Sequence, residues 1–165
     1  MQLASHLISM ETIDSGLFIG VHHRNLDDKG RLTVPAAWRP KKVSDSKNSA
    51  PLGTYVAIPN PSGYISVYPP EKVQELKAKL GKIGLKDRKK RASLTRFLSM
   101  LHEFEFDKQG RINVSAALMN HAGIEKEAVI LGELSSFAIY NPEQYAKEMD
   151  VSDDALDETF EEFEL

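Results

Sequence analysis

One stretch of this sequence occurs twice, and that repetition constrains the fold more than any other feature. Residues 27–39 read DDKGRLTVPAAWR, and residues 107–119 read DKQGRINVSAALM, with six identical pairs among the thirteen positions. A match at a fixed offset indicates that one small structural unit is used twice. The two copies therefore predict a tandem repeat, in which each copy repeats the local structure of the other.

A second, weaker match follows in the same order. The segment YISVYPPE at residues 64–71 resembles FAIYNPE at residues 137–143, with Val67, Tyr68, Pro70 and Glu71 matched by similar or identical residues. The offset falls from 80 to 72 between the two matches, so the first copy has about eight more residues in its connection. We place them in the polar run 41–51, whose composition is typical of a loop.

Length and composition limit the possible folds and locations. The chain has 165 residues, of which 41% are apolar, so each half alone would bury only a marginal core. Packing of the halves together, or against other subunits, would remedy this. The absence of cysteine excludes disulfides and thiolate chemistry and fits a reducing cytoplasm. No apolar run is long enough to span a membrane, and residues 1–16 lack the basic start of a signal peptide, so we expect a flexible leader there.

The charge is distributed unevenly along the chain. Residues 148–165 contain nine carboxylates and no Lys or Arg, which leaves 21 basic and 15 acidic residues in 1–147. A segment this acidic predicts a disordered tail, although Leu156, Phe160 and Phe163 could form one apolar helical edge. A basic body with an acidic end suggests a polyanionic partner.

The periodicity predicts a β-rich α+β fold. In each copy a strand leads through a Gly-containing turn to a second strand, a short helix, two more strands and a helix that opens at a proline. For the first copy these strands are expected near residues 17–25, 31–34, 55–58 and 64–68. For the second they are expected near 103–106, 111–114, 128–131 and 136–140. Two helices, starting at Pro70 and near Asp87, form a connector between the copies.

The candidate chemistry lies in the two Gly turns. Each places a carboxylate four residues before a guanidinium: Asp27 before Arg31, and Asp107 before Arg111. For the aspartates we favour a structural role, in which they accept local N–H groups and pair with the arginine. For Arg31, together with Lys29, we favour contact with nucleic acid, because Arg suits bidentate binding of phosphate or guanine and Lys adds a point charge.

Other candidate sites have less support. The basic run 86–91 on the second connector helix is more typical of a solvated helix face than of a DNA site. His22 and His23 are adjacent, and His102 and His121 lack metal-ligand spacing. The sequence has no Gly-rich phosphate loop or nucleophile motif. We therefore predict no enzyme activity, no cofactor, no metal and no small-molecule substrate.

These motifs together resemble the MraZ family. The resemblance lies in FIG at residues 18–20, LDDKGRLTVP at 26–35 with WR behind it, FDKQGR at 106–111, HAGI at 121–124 and the strand at 133–140. It covers roughly residues 17–147, and the doubled motif is specific. It implies two swapped-hairpin halves related to AbrB, assembled into a ring of subunits. It further implies a bacterial transcription factor that binds short direct repeats upstream of its own division and cell-wall operon.

The resemblance also assigns roles to residues. It implies that Lys29 and Arg31 are the primary DNA contacts and that Lys108 and Arg111 are their counterparts. The full candidate set for DNA binding is Lys29, Arg31, Lys108, Arg111, Arg24 and Arg39, and the motif-structural set is Asp27, Gly30, Asp107 and Gly110. Ser115 replaces Pro35 and Met119 replaces Arg39 in the second copy, so that copy is less basic.

The resulting hypothesis is a sequence-specific DNA-binding repressor, cytoplasmic and nucleoid-associated, with double-stranded promoter DNA and further copies of itself as partners. Two alternatives stay open: an AbrB-like antitoxin or transition-state regulator with another target, and an oligomeric scaffold that binds a protein. The predicted organisation is a leader (1–16), a first repeat (17–70), a helical connector (71–101), a second repeat (102–147) and an acidic tail (148–165).

Overall fold

A computed structural model describes residues 17–40, 54–82 and 87–165. The predicted leader 1–16, the polar run 41–51 and Lys86 lie outside these residues. The strands are β1 (Val21–Asn25), β2 (Arg31–Thr33), β3 (Tyr55–Pro59), β4 (Ile65–Tyr68), β5 (His102–Phe104), β6 (Arg111–Asn113), β7 (Glu127–Gly132) and β8 (Phe137–Tyr140). The α-helices are α1 (Pro70–Gly81), α2 (Arg88–Ser99), α3 (Ala116–Ala122), α4 (Pro142–Glu148) and α5 (Asp153–Glu162), and a 3-10 helix spans Ala36–Trp38. The prediction of a β-rich α+β fold is confirmed.

The strands of the two sequence halves are exchanged. Six strands form one antiparallel sheet in the order β1-β7-β8-β4-β3-β5, and β2 pairs with β6 in a second, two-stranded sheet. The order of the large sheet has an internal symmetry, since exchanging each strand for its counterpart in the other half reverses it. The small ladder is centred on Leu32 opposite Ile112, and the β4–β8 contact on Ser66 opposite Ala138. Each half contains only one hairpin of its own, β3–β4 or β7–β8, and its other two strands pair only with strands of the other half.

The main core lies between the large sheet and the β2–β6 ladder. Leu32 and Phe137 are fully buried there, and Ile112 is nearly so. The aromatic rings of Phe18, Trp38 and Phe137 pack against one another with centroids 5.3–5.7 Å apart. A smaller cluster on the opposite face of the sheet includes Tyr140 stacked on Tyr64. Helix α4 contacts β7, and α1 contacts β3 and β4.

The two copies differ in the helix that follows their ladder strands. In the second copy Ser115 caps α3 by accepting the N–H of Leu118, and Gly123 ends the helix in the left-handed conformation. In the first copy Pro35 occupies the cap position and provides no side-chain acceptor, and only one 3-10 turn forms before Pro40. A serine cap satisfies an N–H that the proline leaves unsatisfied.

The expectation of a disordered tail is wrong for residues 153–162, which form helix α5. Ser152 caps this helix by accepting the N–H of Ala155, and two aspartates lie in its first turn. Carboxylates at a helix N-terminus are favoured by the helix dipole. These local signals outweigh the acidic composition on which the disorder prediction was based. Among the described helices, none is long and apolar enough to cross a membrane.

Candidate functional site

The first turn, residues 27–31, is organised by one carboxylate. Asp27 Oδ1 accepts the backbone N–H groups of Lys29 and Arg31, both at 2.9 Å. Asp27 Oδ2 accepts Nε–H of the Arg31 guanidinium at 2.5 Å. Gly30 closes the turn at φ +74°, a conformation that glycine adopts without strain. The carboxylate therefore fixes both the backbone of the turn and the direction of the arginine.

The second turn, residues 107–111, repeats this geometry. Asp107 Oδ1 accepts the N–H groups of Gln109 and Arg111 at 2.9 Å, and Oδ2 accepts Nε–H of Arg111 at 2.7 Å. Gln109 makes an additional contact, because its Oε1 accepts Nη2–H of Arg111 at 2.6 Å. Gln109 was not among the predicted site residues. Its position beside the arginine, two residues earlier in the turn, is the signal that could have identified it.

The environment of both aspartates favours the charged carboxylate. Hydrogen bonds from the backbone of Arg31 and Arg111 lower the pKa of Asp27 and Asp107 below the ordinary value. The pairing with the arginine side chains acts in the same direction. Both carboxylates are thus charged at neutral pH, and each is paired with the guanidinium of its own turn.

The two turns belong to one surface. They lead into the antiparallel strands β2 and β6, and the ladder is extended by hydrogen bonds from Val34 N to Gly110 O (3.1 Å) and from Val114 N to Gly30 O (2.9 Å). Arg111 Nη1 lies 3.8 Å from Asp27 Oδ2, which brings the arginine of the second turn to the carboxylate of the first. The ladder therefore holds the two turns in a fixed relation.

Two lysines project from this surface. Lys29 and Lys108 are both exposed at the tips of their turns, and neither has an ion-pair partner among the described residues. Arg31 and Arg111 are less accessible, with side chains 33% and 24% exposed. The lysines are thus the uncommitted cations of the surface, and the arginines are held by their aspartates.

Arg39 reaches the second turn from the first half of the chain. Its Nε–H donates to Val34 O at 2.9 Å, and its side chain lies against Gly110, where a Cβ would overlap it. Met119 occupies the equivalent place against Gly30 of the first turn. Arg39 thus adds a half-buried cation to the second turn. From the sequence alone, the second copy is the less basic of the two.

Arg24, by contrast, is placed on β1 at the edge of the large sheet. Its Nη1–H donates to the carbonyl of His23 at 3.0 Å. The structure therefore brings together five of the six predicted cations, namely Lys29, Arg31, Lys108, Arg111 and Arg39, and places Arg24 on a different element.

The remaining candidates have structural surroundings. His22 packs edge-on against Trp38, His23 lies near Tyr145, and His121 Nε2 is 2.6 Å from the carbonyl oxygen of Asn60. In residues 17–40, 54–82 and 87–165 no group of His, Asp or Glu side chains is arranged to hold a metal ion. Asp87 caps α2, whose basic residues from 88 to 91 are all exposed.

These features define a class of protein: a double swapped hairpin whose two Asp-x-x-x-Arg turns are joined through a shared ladder. The chain belongs to the MraZ family. A family model described as "MraZ protein, putative antitoxin-like" matches residues 97–162. This match extends beyond residue 147 to include α5, and together with the relatives described next it confirms the resemblance stated from the sequence.

Several curated relatives carry the name Transcriptional regulator MraZ. The protein of Lactobacillus johnsonii is 35% identical over 90% of this chain and all of its own length. That of Lactobacillus helveticus is 36% identical over the same shares. The Saccharopolyspora erythraea protein is 30% identical over 81% of this chain and 87% of its own. The expectation that the chain is not an enzyme agrees with these names.

Proposed function

We propose that this chain is a DNA-binding transcriptional regulator and that the joined turns are its DNA-contacting surface. The observation that carries the proposal is the pair of exposed lysines, Lys29 and Lys108, on two turns held rigid by their aspartates. A preorganised cationic surface loses little conformational entropy when it meets a phosphate backbone. The names of the relatives support the regulatory role.

The geometry suggests different DNA contacts for the lysines and for Arg31. Lys29 and Lys108 would meet phosphates as point charges, which position a protein on DNA without reading sequence. Arg31 uses Nε for Asp27 and keeps its Nη groups for an outward contact, so it would face a base edge or phosphate from a fixed direction. Asp27 would act as a positioning residue for Arg31.

The proposal also includes an assembly and a target, which the resemblance to the family implies. One subunit offers few uncommitted cations, so useful affinity requires several subunits on one DNA molecule. We infer that the chain forms a ring that presents its turns in the same direction. Such a ring suits short direct repeats in the promoter of the chain's own division and cell-wall gene cluster. Repression there, and nucleoid association, belong to this proposal.

The test compares Lys29→Ala with Lys77→Ala in salt-titrated binding to the DNA upstream of the chain's own gene. Lys77 is an exposed lysine of α1, a helix that contacts β3 and β4. Lys29→Ala should weaken binding and reduce the slope of log K against log salt by about one for each subunit in contact. Lys77→Ala should leave both unchanged. Equal binding by both variants would contradict the proposal.

The same titration separates the alternative functions. If the chain binds other operators and Lys29→Ala weakens that binding, the chain is an AbrB-like regulator with a different target. The description of the family as antitoxin-like supports keeping this alternative. No salt-dependent binding to any duplex would indicate a scaffold for a protein partner. Arg31→Ala is a less clear test, because it also removes the ion pair that shapes the turn.

A further inference from the structure

Helix α2 combines positive charge with a partly exposed apolar edge, in which Leu94 and Phe97 are half-buried and Leu98 is exposed. Leu94, Phe97 and Leu98 follow helical spacing on one side, and Leu98 is 46% exposed. Lys90 and Arg91 lie four and three residues before Leu94, so they share that side of the helix. No residue of α2 is buried.

Helix α5 has the complementary composition. Leu156, Phe160 and Phe163 recur at helical spacing and are 52%, 50% and 65% exposed. Asp153 and Asp157 each precede one of these residues by three positions and therefore border the same edge. No residue of α5 is buried, and the helix contains no Lys or Arg. Apolar edges this exposed are typical of contact surfaces.

The two helices leave the fold at different places. Helix α5 follows α4, which packs on β7, near one edge of the large sheet. Helix α2 leads into β5, which is the opposite edge strand. Four strand spacings separate β7 from β5, or about 19 Å at the usual distance between strands. Among the described residues no ion pair or hydrogen bond joins α2 to α5.

We propose that α5 of one copy packs along α2 of a neighbouring copy, with Leu156, Phe160 and Phe163 against Leu94, Phe97 and Leu98. Asp153 and Asp157 then face Lys90 and Arg91 of the neighbour. Each chain contributes one acidic and one basic helix from opposite ends of the sheet, so the contact is head-to-tail. The proposal rests on the self-assembly included in the proposed function and identifies the surfaces that make it.

The cysteine-free sequence allows a direct cross-linking test. A tagged Leu98→Cys protein is mixed with an untagged Thr159→Cys protein and treated with a short bismaleimide. Thr159 is exposed on α5 beside the apolar edge and is not part of it. The mixed product should form readily. Substituting Lys77→Cys of α1 for Leu98→Cys is the matched control and should give little of it.

Charge reversal tests the chemistry of the contact. Asp153→Lys with Asp157→Lys should lower the yield of mixed product about tenfold, because two attractive pairs become repulsive. Lys90→Glu with Arg91→Glu in the other copy should restore it. None of these side chains is buried, so the thermal unfolding midpoint of each variant should match the parent. Because Asp153 lies in the first turn of α5, amide exchange of α5 is also needed to show that the helix is still formed in the lysine variant.

Several results would overturn the inference. One is a yield of mixed product no higher than in the Lys77→Cys control, and another is a yield that charge reversal does not change. A third is a cross-link within one chain, observed at high dilution in a protein that carries both Leu98→Cys and Thr159→Cys. In each case the proposed charged contact between α5 and α2 of a second copy is ruled out. DNA binding by Lys29→Ala is measured in a separate experiment. A negative cross-linking result can therefore be distinguished from a negative result for DNA binding.

Discussion

Asp27 and Asp107 each control a whole turn through one carboxylate. Oδ1 holds two backbone N–H groups, and Oδ2 holds the arginine that completes the motif. Asparagine keeps an oxygen for the backbone but loses the charge that pairs with arginine. The two functions of the carboxylate can therefore be separated by a single substitution.

Asp27→Asn should lower the free energy of unfolding at pH 7, and the deficit should disappear in acid. The pKa of Asp27 is lowered by folding, so the carboxylate stabilises the fold fully above its ordinary pKa of 3.8. This contribution declines below that value and is lost as the pH falls through the lowered, folded-state pKa, so the deficit should be smaller at pH 3 than at pH 7. Urea unfolding of both proteins at pH 7 and pH 3 measures this. A deficit of the same size at both pH values would show that the charge is not responsible.

Gly110 should be the least replaceable glycine of the site. It has φ +75°, and a Cβ there would overlap the side chain of Arg39. Gly110→Ala should cost about 1–3 kcal/mol from backbone strain alone. Gly81→Ala is the control, because Gly81 ends α1 with nothing within 4 Å of a new Cβ, and it should be neutral or stabilising by up to about 1 kcal/mol. Urea unfolding of the two variants compares them, and equal stability would contradict the account.

At the scale of elements, the sequence predicts what depends on local signals. A glycine or proline marks three boundaries that agree with the structure: the turn at Gly30, the start of the helix at Pro70 and the end of α3 at Gly123. Helix α5 was expected only as an alternative to disorder, from the spacing of Leu156, Phe160 and Phe163, because its acidic composition was given more weight than its Ser152 cap. The pairing of β1 with β7 joins residues about a hundred positions apart, and no local pattern encodes such a partner.

The same limit applies to the site. The Asp–Arg spacing predicts a turn, and the structure contains one in each half. The contact between Arg111 and Asp27, and the position of Arg39 over Gly110, depend on the β2–β6 ladder. Both could be seen only after the halves were placed together.

The two serine caps should differ in their effect on stability. Ser115 caps α3, which buries Leu118 and Ala122, so Ser115→Ala should reduce the free energy of global unfolding by about 1 kcal/mol. Ser152 caps α5, which buries nothing, so Ser152→Ala should loosen that helix alone. Urea unfolding should register the first substitution, and faster amide exchange confined to α5 should register the second. A similar loss of global stability in both variants would mean that α5 is part of the core.

At the scale of the whole molecule, strand exchange makes the two halves depend on each other. Strands β1 and β3 of the first half pair with β7 and β5 of the second half. The fully buried Leu32 packs beside Ile112 of the second half. A half on its own would expose these strand edges and the apolar face of its ladder strand. Its local turns and helices would have too little buried surface to offset the loss of chain entropy.

Residues 17–82 and 87–165, produced as separate chains, should therefore be unfolded as monomers and should fold when mixed in equal amounts. Circular dichroism and amide exchange of each fragment and of the mixture measure this. The internal symmetry of the sheet permits one other outcome, in which a fragment pairs with a second copy of itself, and a midpoint that rises with concentration would identify it. A fragment that unfolds cooperatively at a concentration-independent midpoint would contradict the argument. Folding of a lone monomer requires a stable sheet within one half, and the observed pairing gives each half only a two-stranded hairpin, which is marginal in water.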